Sequence, residues 1–438
     1  MEISFFGGQQ EVGRSCIMVA SSNGSTKILL DAGVMLGETE LYPVFDDSLL
    51  KEIDGIFISH PHLDHCGYLP HIFTAGYLGK VYATKPTKEL ADVLISDYMR
   101  ISNPKNVTKE GLKALSKSYL VIEYGKDIKI KDLTIRFEPA GHTIGSAYIV
   151  VKEGDKTLVY TGDINLARTK LLEPAKFENI NAQVLITEST YGGRNDIFPP
   201  QRTTVSNMLK DIKEIIKANG KVIIPSFAVG RAQEVLLILD DYMNSGVIPK
   251  VPIYIDGMIK KALRIHRYNV IYCRKELQMK ILMSDYDPFK SSNFIEINGK
   301  QMRNKIINSQ EAAIIVTTSG MLTGGPALSY LSKMAQNPLN ALFFVGYQAE
   351  GTLGREILNG AKEIKIDNKT VEIKLLVKNY HLSAHADRRQ LEQLLKKIKG
   401  LEKVFIVHGE YEKSMQFRDD ISSKYEAFVP KVGDSYRL

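Results

Sequence analysis

The chain has 438 residues, 44% of them hydrophobic and 24% charged, with a formal net charge of +7, a composition typical of a globular protein long enough for two domains. No apolar run approaches the roughly 18 residues of a membrane-spanning helix, and the N-terminus lacks the basic start of a secretory signal, so we expect no membrane partner. Three widely spaced cysteines argue against a disulfide framework and a Cys-rich structural zinc site, and favour a reducing, cytoplasmic location.

The first 190 residues consist mostly of short apolar segments. These are rich in Ile, Val and Leu and most end at Gly, Pro, Asp or His, which predicts strands. The predicted strands are KILLDAG, IDGIFISH, GKVYAT, LTIRFEPA, SAYIVVKEG, KTLVYTGD and AQVLITEST. Ionisable residues stand at or just past the ends of several of them, namely Asp31, His60, His142, Asp163 and Glu188. Because strand ends form the rim of a sheet, we expect these side chains to converge.

From about residue 194 to 364 helix and strand patterns alternate. TTVSNMLKDIKEIIKANG predicts a helix ending at Gly220, KVIIPSF a buried strand, and VGRAQEVLLILDDYMNSG a second helix. The strand pattern returns in VPIYIDG, EAAIIVTTSG and NALFFVGY. This alternation predicts a mostly parallel sheet with helices on its faces.

A basic stretch lies inside this region. Residues 260–305 contain eleven Lys or Arg residues against four Asp or Glu residues, a local excess that equals the net charge of the whole chain. Two interpretations stay open, a solvated helical face and a surface that follows RNA phosphates. We expect His266, inside this stretch, to be an ordinary surface residue or a minor RNA contact.

The last part of the chain, from about residue 371, begins with the predicted strand VEIKLLVKNYHLSAH. A helix (RRQLEQLLKKIKG), a strand (KVFIVHG) and a final helix follow. In the predicted strand, alternation would place His381 on the same face as His385.

The stretch SHPHLDHCG crowds four metal-binding side chains into six positions. Side chains so close in sequence point in diverging directions, so two incomplete sites are easier to build than one: His60 and His62 in the first, Asp64 and His65 in the second. Each pair needs ligands from elsewhere in the chain, and without a metal the buried donors would lack partners. Suitable ligands follow distant strands: His142, Asp163 and His408. His71 matches no ligand motif, and we expect it to be structural.

The order of motifs resembles a known superfamily. LLDAG, SHPHLDHCG, AGHTIGSA and YTGD resemble the four metal-site motifs of the metallo-β-lactamase superfamily, and TESTYG, SAHAD and VHGE resemble motifs A, B and C of its β-CASP nuclease branch. IPSFAVGRAQE, YIDGMI, TTSGMLTGGP and GYQAEGTLGR are similar to archaeal homologues of the nuclease subunit of the cleavage and polyadenylation specificity factor, in the short form without KH domains. Motif A has Glu188 in place of Asp, which that group allows.

The resemblance implies a fold and a division into domains. The fold is α/β, a metallo-β-lactamase αβ/βα sandwich with an inserted α/β β-CASP domain. The implied limits are 1–193 for the first part of the metallo-β-lactamase domain, 194–370 for the β-CASP domain and 371–438 for the second part.

The resemblance also implies a set of site residues and a cofactor. His60, His62 and His142 would bind one Zn²⁺, Asp64, His65 and His408 would bind a second, and Asp163 would bridge the two, with Mn²⁺ as a possible substitute. Asp31 would hold a ligand imidazole in one tautomer, and His385 would be the general acid, oriented by Glu188.

The implied function is a zinc-dependent ribonuclease of RNA processing or decay, cutting as an endonuclease, as a 5′–3′ exonuclease or in both ways. The implied partners are RNA, a second copy of the chain and an RNA-processing or decay complex. Candidate RNA contacts are Ser226, Arg231, Ser319, Gly320 and His381, although the first four are equally the residues of ordinary helix caps and turns.

Two other functions compete with the ribonuclease. The metal motifs alone would allow a hydrolase of a small molecule such as a lactam or thioester, but a small substrate needs no insert of about 170 residues. A non-catalytic RNA-binding scaffold subunit would have lost metal ligands, whereas every ligand position here is filled.

Overall fold

A computed structural model describes residues 1–37, 39–104 and 107–438. The chain divides into two units, the first made of residues 1–168, 173–197 and 385–438 and the second of residues 169–172 and 198–384. None of the helices in the described ranges is long and apolar enough to cross a bilayer.

The described residues in the N-terminal part of the first unit form eleven strands and four helices. The strands are β1 (Glu2–Gly7), β2 (Cys16–Ala20), β3 (Lys27–Leu30), β4 (Gly55–Phe57), β5 (Val81–Ala83), β6 (Tyr119–Val121), β7 (Asp127–Ile130), β8 (Leu133–Pro139), β9 (Ala147–Glu153), β10 (Lys156–Tyr160) and β11 (Val184–Glu188). The helices are α1 (Leu63–Cys66), α2 (Leu69–Thr74), α3 (Lys85–Ser102) and α4 (Lys109–Ser118), with a 3₁₀ turn at Asp47–Glu52.

The second unit alternates helices and strands, as its sequence pattern predicts. The helices are α5 (Gln201–Lys217), α6 (Arg231–Asn244), α7 (Ile259–Tyr268), α8 (Lys275–Met283), α9 (Gly299–Asn308), α10 (Pro326–Met334) and α11 (Leu353–Leu358), with 3₁₀ turns at Val270–Tyr272 and Pro288–Lys290. The strands are β12 (Lys221–Pro225), β13 (Ile253–Asp256), β14 (Phe294–Glu296), β15 (Ala313–Thr317), β16 (Ala341–Phe344), β17 (Glu363–Ile366), β18 (Lys369–Glu372) and β19 (Leu376–Asn379).

The chain then completes the first unit with two helices and three strands. These are α12 (Arg388–Lys397), β20 (Lys403–Val407), α13 (Tyr411–Ile421), β21 (Glu426–Phe428) and β22 (Ser435–Arg437). Each of the three strands joins a sheet begun by the N-terminal part, since β22 pairs with β1, β20 with β11 and β21 with β20. The first unit is therefore built from both ends of the sequence.

Two seven-stranded sheets form the frame of the first unit, in the orders β22-β1-β2-β3-β4-β5-β6 and β21-β20-β11-β10-β9-β8-β7. Their facing surfaces share one core, which includes Phe5, Phe57, Phe137, Ile149 and Phe405. A second core joins the first sheet to α2, α3 and α4, and a third joins the other sheet to α12 and α13. The predicted αβ/βα sandwich is confirmed.

A six-stranded parallel sheet organises the second unit, in the order β14-β13-β15-β12-β16-β19. Its central strands β12, β15 and β16 are fully buried, as parallel strands covered on both faces should be. Helices α5, α6, α7 and α10 pack on it. The predicted α/β architecture of the insert is confirmed.

The limits of the units differ by 4 and 14 residues from the predicted domain limits of 193/194 and 370/371. Residues 194–197 belong to the first unit and residues 371–384 to the second. The cause of the second difference is β19, which pairs in parallel with β16 and so extends the sheet of the second unit.

The single strand predicted over VEIKLLVKNYHLSAH was wrong. The segment contains the last two residues of β18 and the whole of β19, and the chain then continues without strand structure from Tyr380 to Asp387. Strand alternation therefore gives no reason to place His381 and His385 on one face, because alternation of side chains requires an extended, paired backbone.

Candidate metal centre

Among the described residues, three groups of His, Asp and Glu side chains that could hold a metal ion lie in the first unit, at the ends of its strands. The donor atoms of each group lie within 4.8 Å of one another. The groups are His60, His62, His142 and Asp163; Asp64, His65, Asp163 and His408; and Asp163, Glu188 and His385. The structure thus brings together all the residues that the resemblance assigns to two metals, although they span positions 60 to 408.

The start of α1 separates the two pairs of the SHPHLDHCG motif. His62 is the N-cap of this one-turn helix and has an extended backbone, whereas Asp64 and His65 lie within the turn. His60 and His62 fall in the first group, and Asp64 and His65 in the second. The change from extended chain to helix therefore directs the two pairs to different groups.

Asp163 belongs to all three groups, and its two carboxylate oxygens face different neighbours in the first two. Oδ2 lies 3.3 Å from Nε2 of His60 and 3.6 Å from Nε2 of His142. Oδ1 lies 3.4 Å from Nε2 of His65 and 3.2 Å from Nδ1 of His408. This is the geometry of a carboxylate placed between two cation sites.

The chemistry of the donor set fits divalent cations. Nε2 of His60, Nε2 of His65 and Oδ1 of Asp163 are buried and have no hydrogen-bond partner among the described residues. Buried polar atoms in proteins nearly always have a partner, so these atoms indicate a missing one at their point of convergence. Imidazole with carboxylate is a ligand combination suited to zinc and similar transition metals.

The electrostatics of the first group agree with this fit, whereas in the second group burial would lower the pKa of His65 but the carboxylates of Asp163 and Asp31 raise it well above its usual value. Burial lowers the pKa of His62 to about 3 and the pKa of His142 well below its usual value. Burial would raise the pKa of the Asp163 carboxyl, but the imidazoles of His408 and His65 hold it well below its usual value. Neutral imidazoles and an ionised carboxylate are the forms that bind metal.

Asp31 forms a hydrogen bond with the ring of His65 on the side away from Asp163. Its Oδ2 lies 2.7 Å from Nδ1 of His65, which leaves Nε2 of that ring facing Asp163. The same carboxylate accepts hydrogen bonds from the backbone N–H and the hydroxyl of Ser59 and from the hydroxyl of Tyr160, each at 2.7 Å. Ser59 and Tyr160 were not identified from the sequence as partners of Asp31. Their positions in the sequence, next to His60 and at the end of β10, could have indicated this role.

His385 contacts Glu188 at the third group. Its Nδ1 lies 3.0 Å from Oε2 of Glu188, whose Oε1 accepts a hydrogen bond from the backbone N–H of Ile164 at 2.7 Å. Burial would lower the pKa of His385, but the carboxylates of Glu188 and Asp163 raise it to about 9. The ring is therefore held in one orientation and favours its protonated form.

Two glycines allow the chain to approach itself at this centre. Gly162, directly before Asp163, has a φ of 51°, a left-handed conformation that most residues avoid. Gly33 packs against α1, where an added Cβ would lie only 1.7 Å from the carbonyl oxygen of Asp64. The placement of Asp64 and His65 therefore depends on the absence of a side chain at position 33.

We expect the substitution Gly33→Ala to displace the start of α1 and to destabilise the fold by about 1–3 kcal/mol, the usual cost of overpacking. The midpoint of thermal unfolding should fall, and the amount of bound metal should fall with it. Gly37→Ala is the matched control, because a Cβ there would lie 3.6 Å from its nearest neighbour, an ordinary contact. Equal unfolding midpoints for the two variants would contradict this account.

The RNA-contact candidates Ser226, Arg231, Ser319 and Gly320 lie at the C-terminal ends of strands in the second unit. Ser226 follows β12, Ser319 and Gly320 follow β15, and Arg231 is the first residue of α6. An added Cβ on Gly320 would lie 3.0 Å from the carbonyl carbon of Ser226, so these two loops touch. The carboxyl ends of strands in open α/β sheets are common ligand sites.

Three further side chains of the second unit, those of His381, Gln348 and His266, have contacts that test or extend the sequence predictions. His381 stacks on Phe198, with ring centroids 4.4 Å apart. Gln348, which the sequence interpretation missed, donates a hydrogen bond to the carbonyl of Gly320 at 3.0 Å. His266 is fully buried and its Nδ1 lies 2.7 Å from the carbonyl oxygen of Ala262, so the prediction of a surface residue was wrong. It lies on the apolar side of α7, which the basic composition of the stretch concealed.

His71 is absent from the three donor groups. It lies in α2 and stacks on Tyr68, with ring centroids 5.1 Å apart and the planes at 13°. A second aromatic ring, that of Tyr42, lies 4.7 Å away. These contacts are those of a buried packing residue.

Family comparisons cover most of the chain. Residues 21–190 match the metallo-beta-lactamase superfamily domain, residues 232–357 the Beta-Casp domain, and residues 370–430 the Zn-dependent metallo-hydrolase RNA specificity domain. The fold and the three donor groups thus define a metallo-hydrolase of the metallo-β-lactamase superfamily, a class that binds divalent metal. Within that superfamily, the chain belongs to the β-CASP family.

Several archaeal relatives are similar over the whole chain. The transcription termination factor FttA of Methanocaldococcus jannaschii is 38% identical, with 100% of this chain and 72% of that protein aligned. FttA of Pyrococcus horikoshii is 37% identical, covering 100% and 71%, and FttA of Lokiarchaeum is 36% identical, covering 97% and 69%. The chain therefore spans about 70% of the length of these relatives.

A solved structure, that of a protein of unknown function from Enterococcus faecalis V583, shares the fold. The TM-score is 0.57 at 12% sequence identity, and the alignment covers 100% of this chain and 99% of that one. At this identity the likeness concerns the fold alone.

Proposed function

We propose that the chain is a zinc-dependent ribonuclease that hydrolyses RNA phosphodiester bonds with two metal ions. The observation that supports this most is the position of Asp163, whose two oxygens face two separate groups of buried imidazole and carboxylate donors. A shared carboxylate between two ligand groups is what a two-metal hydrolase needs.

In this proposal His60, His62 and His142 bind one ion and Asp64, His65 and His408 the other, with Asp163 between them. Zinc suits this imidazole-rich set, and Mn²⁺ is an expected substitute. When bound, the cations would activate water and offset the charge that builds on the phosphoryl oxygens. Asp31, through its contact with Nδ1 of His65, keeps that ring in the tautomer whose Nε2 is free to bind metal.

His385 has the role of general acid. The difficult step that remains in phosphodiester hydrolysis is departure of the leaving oxygen, which requires a proton. Glu188 holds the ring of His385 at 3.0 Å and, with Asp163, favours its protonated form. In this proposal the ring of His385 donates that proton to the leaving oxygen.

The second unit supplies RNA contacts in this proposal. The hydroxyl of Ser226 is buried and has no hydrogen-bond partner among the described residues. It lies beside the loop of Ser319 and Gly320, and Arg231 adds a cation at the start of α6. Hydroxyls, backbone N–H groups and arginine are the usual contacts of phosphate, and His381 would add an aromatic ring for a base.

The relatives suggest the setting of this activity. Their printed name is transcription termination factor, and residues 370–430 match a domain described as an RNA specificity domain. We therefore propose that RNA cut by this chain is a transcript undergoing termination, processing or decay. A homodimer and association with an RNA-processing or decay complex belong to the same proposal.

The test is cleavage of RNA by the purified chain with and without a chelator. We expect single-stranded RNA to be cut by the zinc-loaded protein, the activity to disappear after removal of metal by 1,10-phenanthroline, and Zn²⁺ or Mn²⁺ to restore it. A matched reaction with a chromogenic lactam should show no comparable hydrolysis. Lactam cleavage without RNA cleavage would contradict the proposal and favour the small-molecule hydrolase.

The mode of cutting can be read from the same reaction. Circular RNA has no 5′ end, so its cleavage would demonstrate endonuclease action. Preference for a 5′-monophosphorylated linear RNA over the 5′-hydroxyl form, with circular RNA left uncut, is the result expected of a 5′-dependent exonuclease.

A further inference from the structure

A groove of about 380 Å³ lies on the second unit, outside the residues discussed so far. It is bounded by α7, by the 3₁₀ turn Pro288–Lys290 and by β14, the edge strand of the parallel sheet. Its base is apolar, because Ile255, Leu263 and Phe289 line it and are buried. The groove falls within the basic stretch 260–305, for which the sequence left two interpretations open.

An exposed aromatic ring stands at the edge of this groove. Tyr268 is the last residue of α7 and exposes 73% of its surface. The guanidinium carbon of Arg267 lies 5.8 Å from the centroid of its ring. An open aromatic face beside a cation is the combination on which proteins stack the bases of single-stranded nucleic acids.

The groove also has more positive than negative charge. Arg264 pairs with Glu296 at 3.0 Å and Arg267 pairs with Asp287, so two cations are neutralised locally. Lys290 is exposed and makes no ion pair within the part of the chain that the structure describes. The ion pair of Arg264 with Glu296 is exposed to solvent and therefore contributes little to stability. The guanidinium of Arg264 can contact a phosphate instead.

These features decide between the two interpretations of the basic stretch. A merely solvated helical face needs neither a concave surface nor an exposed aromatic ring on its rim. A duplex would present phosphates to the cations but no free base face to Tyr268. An apolar protein segment would fill the base of the groove but would leave Lys290 without a partner.

We propose that this groove binds single-stranded RNA, with a base stacked on Tyr268 and phosphates contacting Lys290 and Arg264. The inference rests on the proposed ribonuclease function, since it identifies where a stretch of substrate other than the cleaved bond is held. It also gives the basic stretch a specific role, recognition of unpaired RNA through stacking and charge without reading its sequence.

The test is RNA binding by the full chain in the His385→Ala background, so that the probe stays intact. The probe is a fluorescein-labelled, unstructured 20-nucleotide RNA, and binding is measured by fluorescence anisotropy at several salt concentrations. We expect Tyr268→Ala to weaken binding by roughly 5- to 100-fold, as loss of one stacked base does. Tyr268→Phe should bind as well as the parent, because it keeps the ring.

The charge contribution is tested by Lys290→Ala. Loss of one phosphate contact should reduce the slope of log K against log salt by about 0.7. Lys369→Ala, an exposed lysine of the β17–β18 hairpin, is the matched control for charge, and Ile271→Ala, 70% exposed and outside the groove, is the control for exposed apolar surface. Neither control should change the affinity.

Two results would overturn the inference. If the parent binds RNA but Tyr268→Ala and Lys290→Ala bind with the parent affinity and salt slope, the groove is not an RNA site, while the proposed ribonuclease function stands. If duplex RNA competes as well as single-stranded RNA, stacking on Tyr268 is wrong. Failure of the proposed function would be recognised separately, by absence of RNA cleavage in the protein with His385 intact.

Discussion

The substitution His385→Ala is expected to lower the rate of RNA cleavage by about 10²- to 10⁴-fold, the usual contribution of a general acid. The ring it removes lies 3.0 Å from Glu188 and is not among the residues proposed to bind metal. The variant should therefore keep its full metal content. Single-turnover cleavage rates, measured beside metal content by mass spectrometry, would check both parts of this expectation.

His381→Ala is the matched control for that experiment. This histidine lies four residues earlier, but it stacks on Phe198 and is absent from the three donor groups. Its removal should weaken RNA binding and change the single-turnover rate at saturating RNA far less than His385→Ala does. A larger loss of that rate in His381→Ala than in His385→Ala would reverse the assignment of the acid.

The second large effect is expected for Asp163→Ala. Because the two oxygens of Asp163 face both ligand groups, one substitution should reduce occupancy of both metal positions. We expect metal content well below two ions per chain and a loss of RNA cleavage greater than the about 10- to 100-fold typical of removing a residue that only orients a ligand. Asp31→Ala removes a residue of this orienting kind, so we expect its loss of RNA cleavage to fall within the about 10- to 100-fold range.

The control for the shared role of Asp163 is a ligand of one group only. His62→Ala removes a donor from the first group and leaves the second complete, so about one ion per chain should remain. If Asp163→Ala kept two ions per chain, its oxygens would not be ligands and the shared position would be wrong. Circular dichroism of each variant distinguishes metal loss from unfolding.

Much of the fold was predictable from local patterns in the sequence. Apolar segments of strand length ended at Gly, Pro, Asp or His in the first unit, and helix and strand patterns alternated in the second, so both architectures followed from periodicity and from the resemblance. The end of the insert was less predictable. VEIKLLVKNYHLSAH is apolar enough for one strand, but its pairing with β16 stops at Asn379.

The residues that form the candidate site could be predicted from the sequence, but their contacts with one another were harder to predict. His60, His142, Asp163 and His408 each follow a strand, which the sequence indicates directly. The supporting contacts of Ser59 and Tyr160 with Asp31 were missed, because serine and tyrosine at strand ends are common and their hydrogen-bond partner is 28 and 129 positions away. Likewise, composition placed His266 on the surface, but it faces the core.

The sequence by itself determined most of the strands and helices, the set of side chains that could hold metal, and the family, because these depend on residue type and on spacing along the chain. Only the tertiary structure decided which oxygen of Asp163 faces which group of donors, how closely Glu188 approaches the ring of His385, and that Tyr268 and Lys290 share one groove. These contacts join residues that are separated in the sequence. They depend on strand register and on the packing of loops, which local periodicity does not predict.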